Sequence, residues 1–144
     1  MPSDHEMFWL RDSFAVVGHS AQAPFPLLSY RALKAKGKVV YAVDPDARSL
    51  DGDATYPDLA SLPGRVDAVL LEVPKAQTAR WMAMIADAGI EQVWIHMNRE
   101  TPEALSIARE RGIHVCTGTC AVQYLRGGFP HSVHRLLRKL SGKW

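Results

Sequence analysis

Short apolar runs alternate along this chain with segments of helical spacing, and that alternation narrows the fold more than any other feature of the sequence. Phe14-Ala15-Val16-Val17 is a β-rich run that ends at Gly18. Leu27, Leu28, Ala32, Leu33 and Ala35 follow at helical spacing, and Gly37 closes that segment as a C-cap does. Val39-Val40-Tyr41-Ala42-Val43 is the second run, ending at Asp44-Pro45. Residues 56–62 are turn-rich, with Pro57 and Pro63 as punctuation. Residues 67–73 form the next run, stopped by Pro74. A helix is expected over 76–88 before Gly89, then a strand over 92–96. Thr101-Pro102-Glu103 opens a further helix: a Thr N-cap, Pro at the first helical position, and an acid near the positive end. Gly112 ends it, and residues 113–116 make a fifth strand. A short leading helix over 4–11 is expected to pack Met7, Phe8 and Leu10 on the body.

Strands alternating with helices predict a parallel sheet covered on both faces, and the near-continuous apolar character of the strands agrees. Right-handed crossovers then give an α/β, Rossmann-like, doubly wound five-stranded sheet, with a ligand crevice at the carboxyl ends of the strands. With 144 residues the chain suits one domain, expected over 1–129. Residues 130–144 depart from the plan. Val133, Leu136, Leu137 and Leu140 recur at i, i+3, i+4 and i+7 among His131, His134, Arg135, Arg138, Lys139 and Lys143, which predicts a basic amphipathic helix. Its apolar stripe is expected to pack on the domain or across a homodimer interface.

Composition excludes several classes. A net charge of +2 is too weak to make nucleic acid the main partner. No run approaches the roughly 20 apolar residues of a membrane span. The acidic start, MPSDHEMFWLRDS, is not a signal peptide, so a cytoplasmic location is expected.

Gly18-His19-Ser20-Ala21-Gln22-Ala23 sits where a dinucleotide fold places its phosphate loop. The G-x-G-x-x-G positions hold Gly18, Ser20 and Ala23: a turn, a small residue with a hydroxyl donor, and a residue that permits close helix packing. A following helix aims its N–H groups and positive dipole end at an anion. Pro24 and Pro26 imply an extended stretch first, so that the helix is expected to start near Ser29, with Ser29 as its N-cap. The bland reading is that Gly18 only turns the chain.

The order of short motifs resembles the small stand-alone CoA-binding proteins, which are similar to the CoA-binding domain of the succinyl-CoA synthetase alpha subunit. The motifs are Gly-x-Ser after the first strand, Ser29-Tyr30, the strand closing on Pro45, Leu50-Asp51-Gly52, Tyr56-Pro57-Asp58-Leu59, Leu62-Pro63, Val66-Asp67, Val73-Pro74, Ala88-Gly89-Ile90 and Val93-Trp94-Ile95. The likeness runs over roughly residues 13–120. It implies coenzyme A, or an acyl-CoA, as ligand of a binding module without catalytic machinery of its own, one that either partners another enzyme or regulates by nucleotide occupancy. It implies that Gly18, Ser20 and the backbone at Ala21 hold phosphate, assisted by Ser29 and Arg31. Asp44-Pro45 would flank the adenosine, Val73-Pro74 would wall the adenine, and Met97-Asn98 would close the site. The family often has Asn-Pro-Lys where this chain has Asp44-Pro45-Asp46, which leaves Arg48 or Lys75 to supply the missing cation. It also tends to carry glycine where this chain has Asn98, the commonest non-glycine tolerant of positive φ.

A rival function is an NAD- or NADP-binding oxidoreductase or redox sensor. Asp44 ends the second strand, where an acid can bind the ribose of NAD; equally, it can make an Asx-turn with Pro45. Cys116 and Cys120 lack both the CxxC spacing of a redox pair and the further ligands of a metal site, so a small buried residue at the sheet edge is the simpler reading. His19, His96 and Glu72 fall at strand ends and could form an acid/base set. Trp81, Met82, Met84 and Ile85 read as helix packing.

Overall fold

The computed structural model describes residues 4–117. Alternating helices and strands along the chain build one sheet. Its strands are β1 (Ser13–Gly18), β2 (Val39–Val43), β3 (Ser49–Leu50), β4 (Asp53–Tyr56), β5 (Ala68–Glu72), β6 (Gln92–Ile95) and β7 (His114–Cys116), in the order β3-β4-β2-β1-β5-β6-β7. Every pairing is parallel except β3 with β4. The helices are α1 (Asp4–Phe8), α2 (Phe25–Ala35), α3 (Thr78–Asp87) and α4 (Pro102–Arg111), with a 3-10 turn at Lys75–Gln77.

Side chains alternate across the pleat, and both faces are buried. Phe14 and Val16 of β1, Ala68 and Leu70 of β5, and Trp94 of β6 form one core with Phe8 of α1 and Leu33 of α2. Ala15, Val17, Val69, Leu71, Val93 and Ile95 form the other, with Trp81, Met82 and Ile85 of α3 and Ala104 and Ala108 of α4. The expected α/β doubly wound arrangement is therefore present, with helices on both faces.

The sheet has seven strands where five were expected. The two additional strands are a short hairpin at the β2 edge, Ser49↔Ala54 and Leu50↔Asp53, closed by Asp51-Gly52. Both turn residues have positive φ, 54° and 82°, as a two-residue hairpin loop with the twist of its strands requires. Helix α1 is shorter than expected, and of the three residues expected to pack only Phe8 is buried; Met7, and Leu10 beyond the helix, are exposed. Phe8 instead joins an aromatic cluster with Trp9, Phe14 and Trp94.

The punctuation read from sequence holds at α4. Thr101 accepts from the Ala104 N–H at 3.1 Å, Pro102 takes the first turn, and Gly112 ends the helix at φ 72°. Among the described residues no helix is long and apolar enough to cross a membrane. The expected tail helix over 131–141 and Cys120 lie outside the described residues. Cys116 is buried in β7 at the sheet edge, as the simpler reading had it.

Candidate functional site

The chain leaves β1 toward β2 on one side and later returns to β5 on the other, so the topological switch point lies between β1 and β5. Gly18 and Glu72, the last residues of those strands, are register partners there. His96 follows β6 and donates its N–H to the Leu71 carbonyl at 3.0 Å. The carboxyl ends of three adjacent strands thus bring His19, Glu72 and His96 together, and all three are buried.

The loop from Gly18 to Pro24 is held from within. Gln22 and Ala23 donate their N–H groups to the His19 carbonyl. The Ser20 N–H and hydroxyl both donate to Asp44 Oδ2, at 2.9 and 2.7 Å, while Asp44 Oδ1 accepts from the Asp46 N–H at 3.0 Å. Asp44 is therefore the Asx-turn acid of the bland reading and also the clamp that ties β2 to the loop, so its carboxylate is committed rather than presented to a ribose. Of the loop amides, that of Ala21 is taken by neither turn. Where the related pattern has lysine, the Asp46 carboxylate accepts from His19 Nδ1 at 2.6 Å, and His19 Nε2 meets Gln77 Oε1 at 2.8 Å. His19, Asp44 and Asp46 are a grouping whose ligand atoms lie within 4.8 Å, but those atoms are already bonded to one another and to the loop.

Gly18 has a role other than the expected turn. Its φ is not positive, and a Cβ there would lie 2.5 Å from Pro26 Cγ and 2.9 Å from the Glu72 carbonyl oxygen. It lets α2 approach β1. The helix itself begins at Phe25, with Pro24 as N-cap and Pro26 in the first turn, because early positions need no N–H partner. Ser29 is thus not the N-cap. It is fully buried one turn into α2, and its hydroxyl donates to Glu72 Oε2 at 3.0 Å.

Burial pushes the Glu72 carboxyl up to about 8, against a smaller downward pull from the Ser29 hydroxyl. Burial likewise pushes the His96 imidazole below its ordinary value, and the Arg99 guanidinium adds to the effect. His96 Nδ1 stands 3.6 Å from Glu72 Oε2. That exceeds hydrogen-bond reach, and burial favours the neutral form of each, so this is a contact between two neutral groups rather than an ion pair. Glu72 Oε1 and His96 Nδ1 are both buried without a hydrogen-bond partner. They line a cavity of about 90 Å³ with His19, Gln22, Ala23, Phe25, Pro74 and Arg99. A larger cavity, of about 380 Å³, lies at the opposite ends of the strands among Arg11, Arg65, Glu91 and Gln92, away from the switch point.

The other expected site residues fall into two groups. Pro74 lines the switch-point cavity, and Asn98 takes the positive φ expected of it, 65°, in the exposed turn with Met97. Pro45, Arg48 and Lys75 are exposed near the carboxyl ends of β2 and β5, and Ala21 is exposed on the loop. Val73, by contrast, is buried in the α3 core rather than facing the crevice, and Arg31 is exposed and paired with Asp51 at 2.9 Å. Sequence reasoning missed Phe25, which stacks on His96 at 4.3 Å between ring centroids, and Arg99. The signal for Arg99 was its place one residue past the Met97-Asn98 turn, whose Arg99 N–H closes onto the His96 carbonyl at 3.0 Å.

Residues 12–125 match the family model described as CoA binding domain. Among solved structures, the chain is similar to a protein redesigned for binding (26% identity, TM-score 0.75, covering 86% of this chain and 90% of that one). It is also similar to a protein of Pyrococcus horikoshii OT3 (23% identity, TM-score 0.74, covering 83% and 86%). A third likeness is to a dinucleotide-forming acetyl-coenzyme A synthetase of Ca. Korarchaeum cryptofilum in complex with phosphate and ADP (24% identity, TM-score 0.65). That match takes in 80% of this chain but only 27% of the synthetase.

Proposed function

The chain belongs to the CoA-binding domain family, and from that premise we propose that it binds coenzyme A, or an acyl-CoA, as a nucleotide-binding module. The observation that carries the reading is the family match itself, because residues 12–125 take in every described strand and the whole switch-point crevice. The position of the loop supports it. An eleven-residue helix, α2, starts just after the Gly18–Ala23 loop, so its positive dipole end lies at the loop where a diphosphate would sit.

In this reading the adenosine diphosphate half lies across the loop, with Pro45 on one side and Pro74 on the other, and the Met97-Asn98 turn bounds the site. Asp44 acts by holding Ser20 and the loop in place. Arg48 or Lys75 supplies phosphate charge, and Arg31, turned toward Asp51, supplies little. The likeness to the synthetase takes in only 27% of that protein, so this chain corresponds in fold to one portion of it. Titration calorimetry with CoA, NAD, NADP and ATP tests the reading. Binding of CoA in preference to the other three is the expected result; tight NAD or NADP binding with none of CoA overturns it in favour of the oxidoreductase class.

A further inference from the structure

The cavity at the switch point has features that a phosphate loop does not need. Buried polar atoms are nearly always hydrogen-bonded, because an unmet one forfeits its hydration without replacement. Here two such atoms, Glu72 Oε1 and His96 Nδ1, line the same space. The side chains that carry them are 1% and 5% exposed. The space is about 90 Å³, well above the roughly 10–15 Å³ that a single water needs. Its walls combine polar and apolar surface: Glu72, His96 and the half-buried Arg99 with Phe25, Ala23 and Pro74.

The charge of the lining decides what fits. Held neutral by burial, Glu72 carries an O–H that can donate, and its Oε2 is already occupied by Ser29. Neutral His96 offers one ring nitrogen as donor and the other as acceptor. His19 is engaged with Asp46 and Gln77. Arg99 brings a full positive charge to the lining, and α2 begins at Phe25, so its positive end adds to it. A cation is disfavoured. A small group rich in acceptor oxygens, with an alkyl side to lie on Phe25 and Pro74, satisfies every element of the wall.

We propose that this cavity is a subsite for a short carboxylate or acyl carbonyl, held by Glu72, His96 and Arg99 with its carbon chain against Phe25. The same chemistry arrives from two sources, a free short-chain acid or the acyl end of a CoA thioester. The second source rests on the CoA reading above, and the first does not.

The test uses the full chain labelled with ¹⁵N-histidine, titrated with acetate and propionate, with chloride at matched ionic strength as control. The expected result is a saturable shift of the His96 ring nitrogens with either acid and none with chloride. Arg99→Gln and Glu72→Leu should each weaken that binding at least about tenfold while leaving the circular dichroism and melting transition those of a folded protein. Leu in place of the buried Glu72 removes a desolvated carboxyl, so a fold failure is not expected there. Acetyl-CoA that displaces acetate, and binds about tenfold tighter than CoA, supports the subsite and assigns the thioester source. Acetate that still binds beside saturating CoA, or in a protein that binds no CoA at all, supports it and assigns the free acid; the latter case overturns the CoA reading alone. If neither acid shifts His96, or chloride shifts it equally, and CoA and acetyl-CoA bind alike, the subsite does not exist.

Discussion

Replacing Gly18 with alanine should damage the fold rather than the ligand site. A Cβ at this position lies 2.5 Å from Pro26 Cγ and 2.9 Å from the Glu72 carbonyl oxygen, both far inside ordinary contact. Pro26 is buried in the first turn of α2, and the Glu72 carbonyl belongs to the sheet, so neither is the loose end of a flexible side chain. Relief requires α2 to move off β1 by several tenths of an ångström. Overpacking of this kind costs about 1–3 kcal/mol. Alanine recovers roughly 0.4–1 kcal/mol through the unfolded chain, because Gly18 does not need positive φ. The net expectation is a loss of about 1–2 kcal/mol, or roughly 3–8 °C in Tm for a chain of this size. The assay is urea and thermal denaturation of Gly18→Ala, Pro26→Ala and the double variant. Removing the ring at 26 takes away the closer clash, so the double variant should be more stable than the two single effects summed, by about 1 kcal/mol. A Gly18→Ala protein that melts with the wild type, or strictly additive effects, would refute the close-packing role and restore the turn as the reason for this glycine.

Other outcomes follow from the same geometry. Glu72, raised to about 8 by burial, binds its proton in the folded state while the unfolded chain releases it near 4.5, so stability should fall as pH rises through that window. Glu72→Gln should therefore gain on the wild type progressively from about pH 5 to about pH 8 in Tm-against-pH curves, and parallel curves would contradict the shift. His96 works on the other side: its depressed value means stability lost as pH falls below the ordinary histidine range, and His96→Phe should flatten that acid limb of the same curves. Asp44→Ala removes the acceptor for Ser20 and Asp46 and should cost about 1–3 kcal/mol in urea denaturation, with Asp44→Asn losing less. On the ligand side, Arg48→Ala should weaken CoA about ten- to hundredfold by calorimetry, while Arg31→Ala, whose guanidinium is spent on Asp51, should not.

The central strands were legible because burial on both faces writes continuous apolar runs, and Phe14 to Val17 or residues 67–73 have no other reading. The α4 cap was legible because Thr101-Pro102-Glu103 is a local device that needs no tertiary help. The β3–β4 hairpin was not read, since its strands are short, largely polar and half-exposed, with no apolar run to signal them. Its Asp51-Gly52 turn was nonetheless present as a hairpin signal between Leu50 and Asp53. Helix α2 starts at Phe25, ahead of the expected Ser29, because Pro24 and Pro26, which act as breakers inside a helix, are accepted at its N-cap and in its first turn. At the site, the strand-end positions of His19, Glu72 and His96 were readable from topology. What was not readable is that Asp44 spends its carboxylate on Ser20, or that Val73 faces the core: both depend on side-chain direction across elements far apart in sequence.

The most direct test of the account is a ¹H–¹⁵N correlation spectrum of the intact chain titrated with CoA. The account predicts saturable shifts concentrated in the loop amides from His19 to Ala23, in Asp46 after the Asp44-Pro45 turn, and around Lys75 and Asn98, with no comparable change on adding NAD. A spectrum that CoA leaves unchanged while NAD moves the Ser20 and Asp44 amides would contradict it.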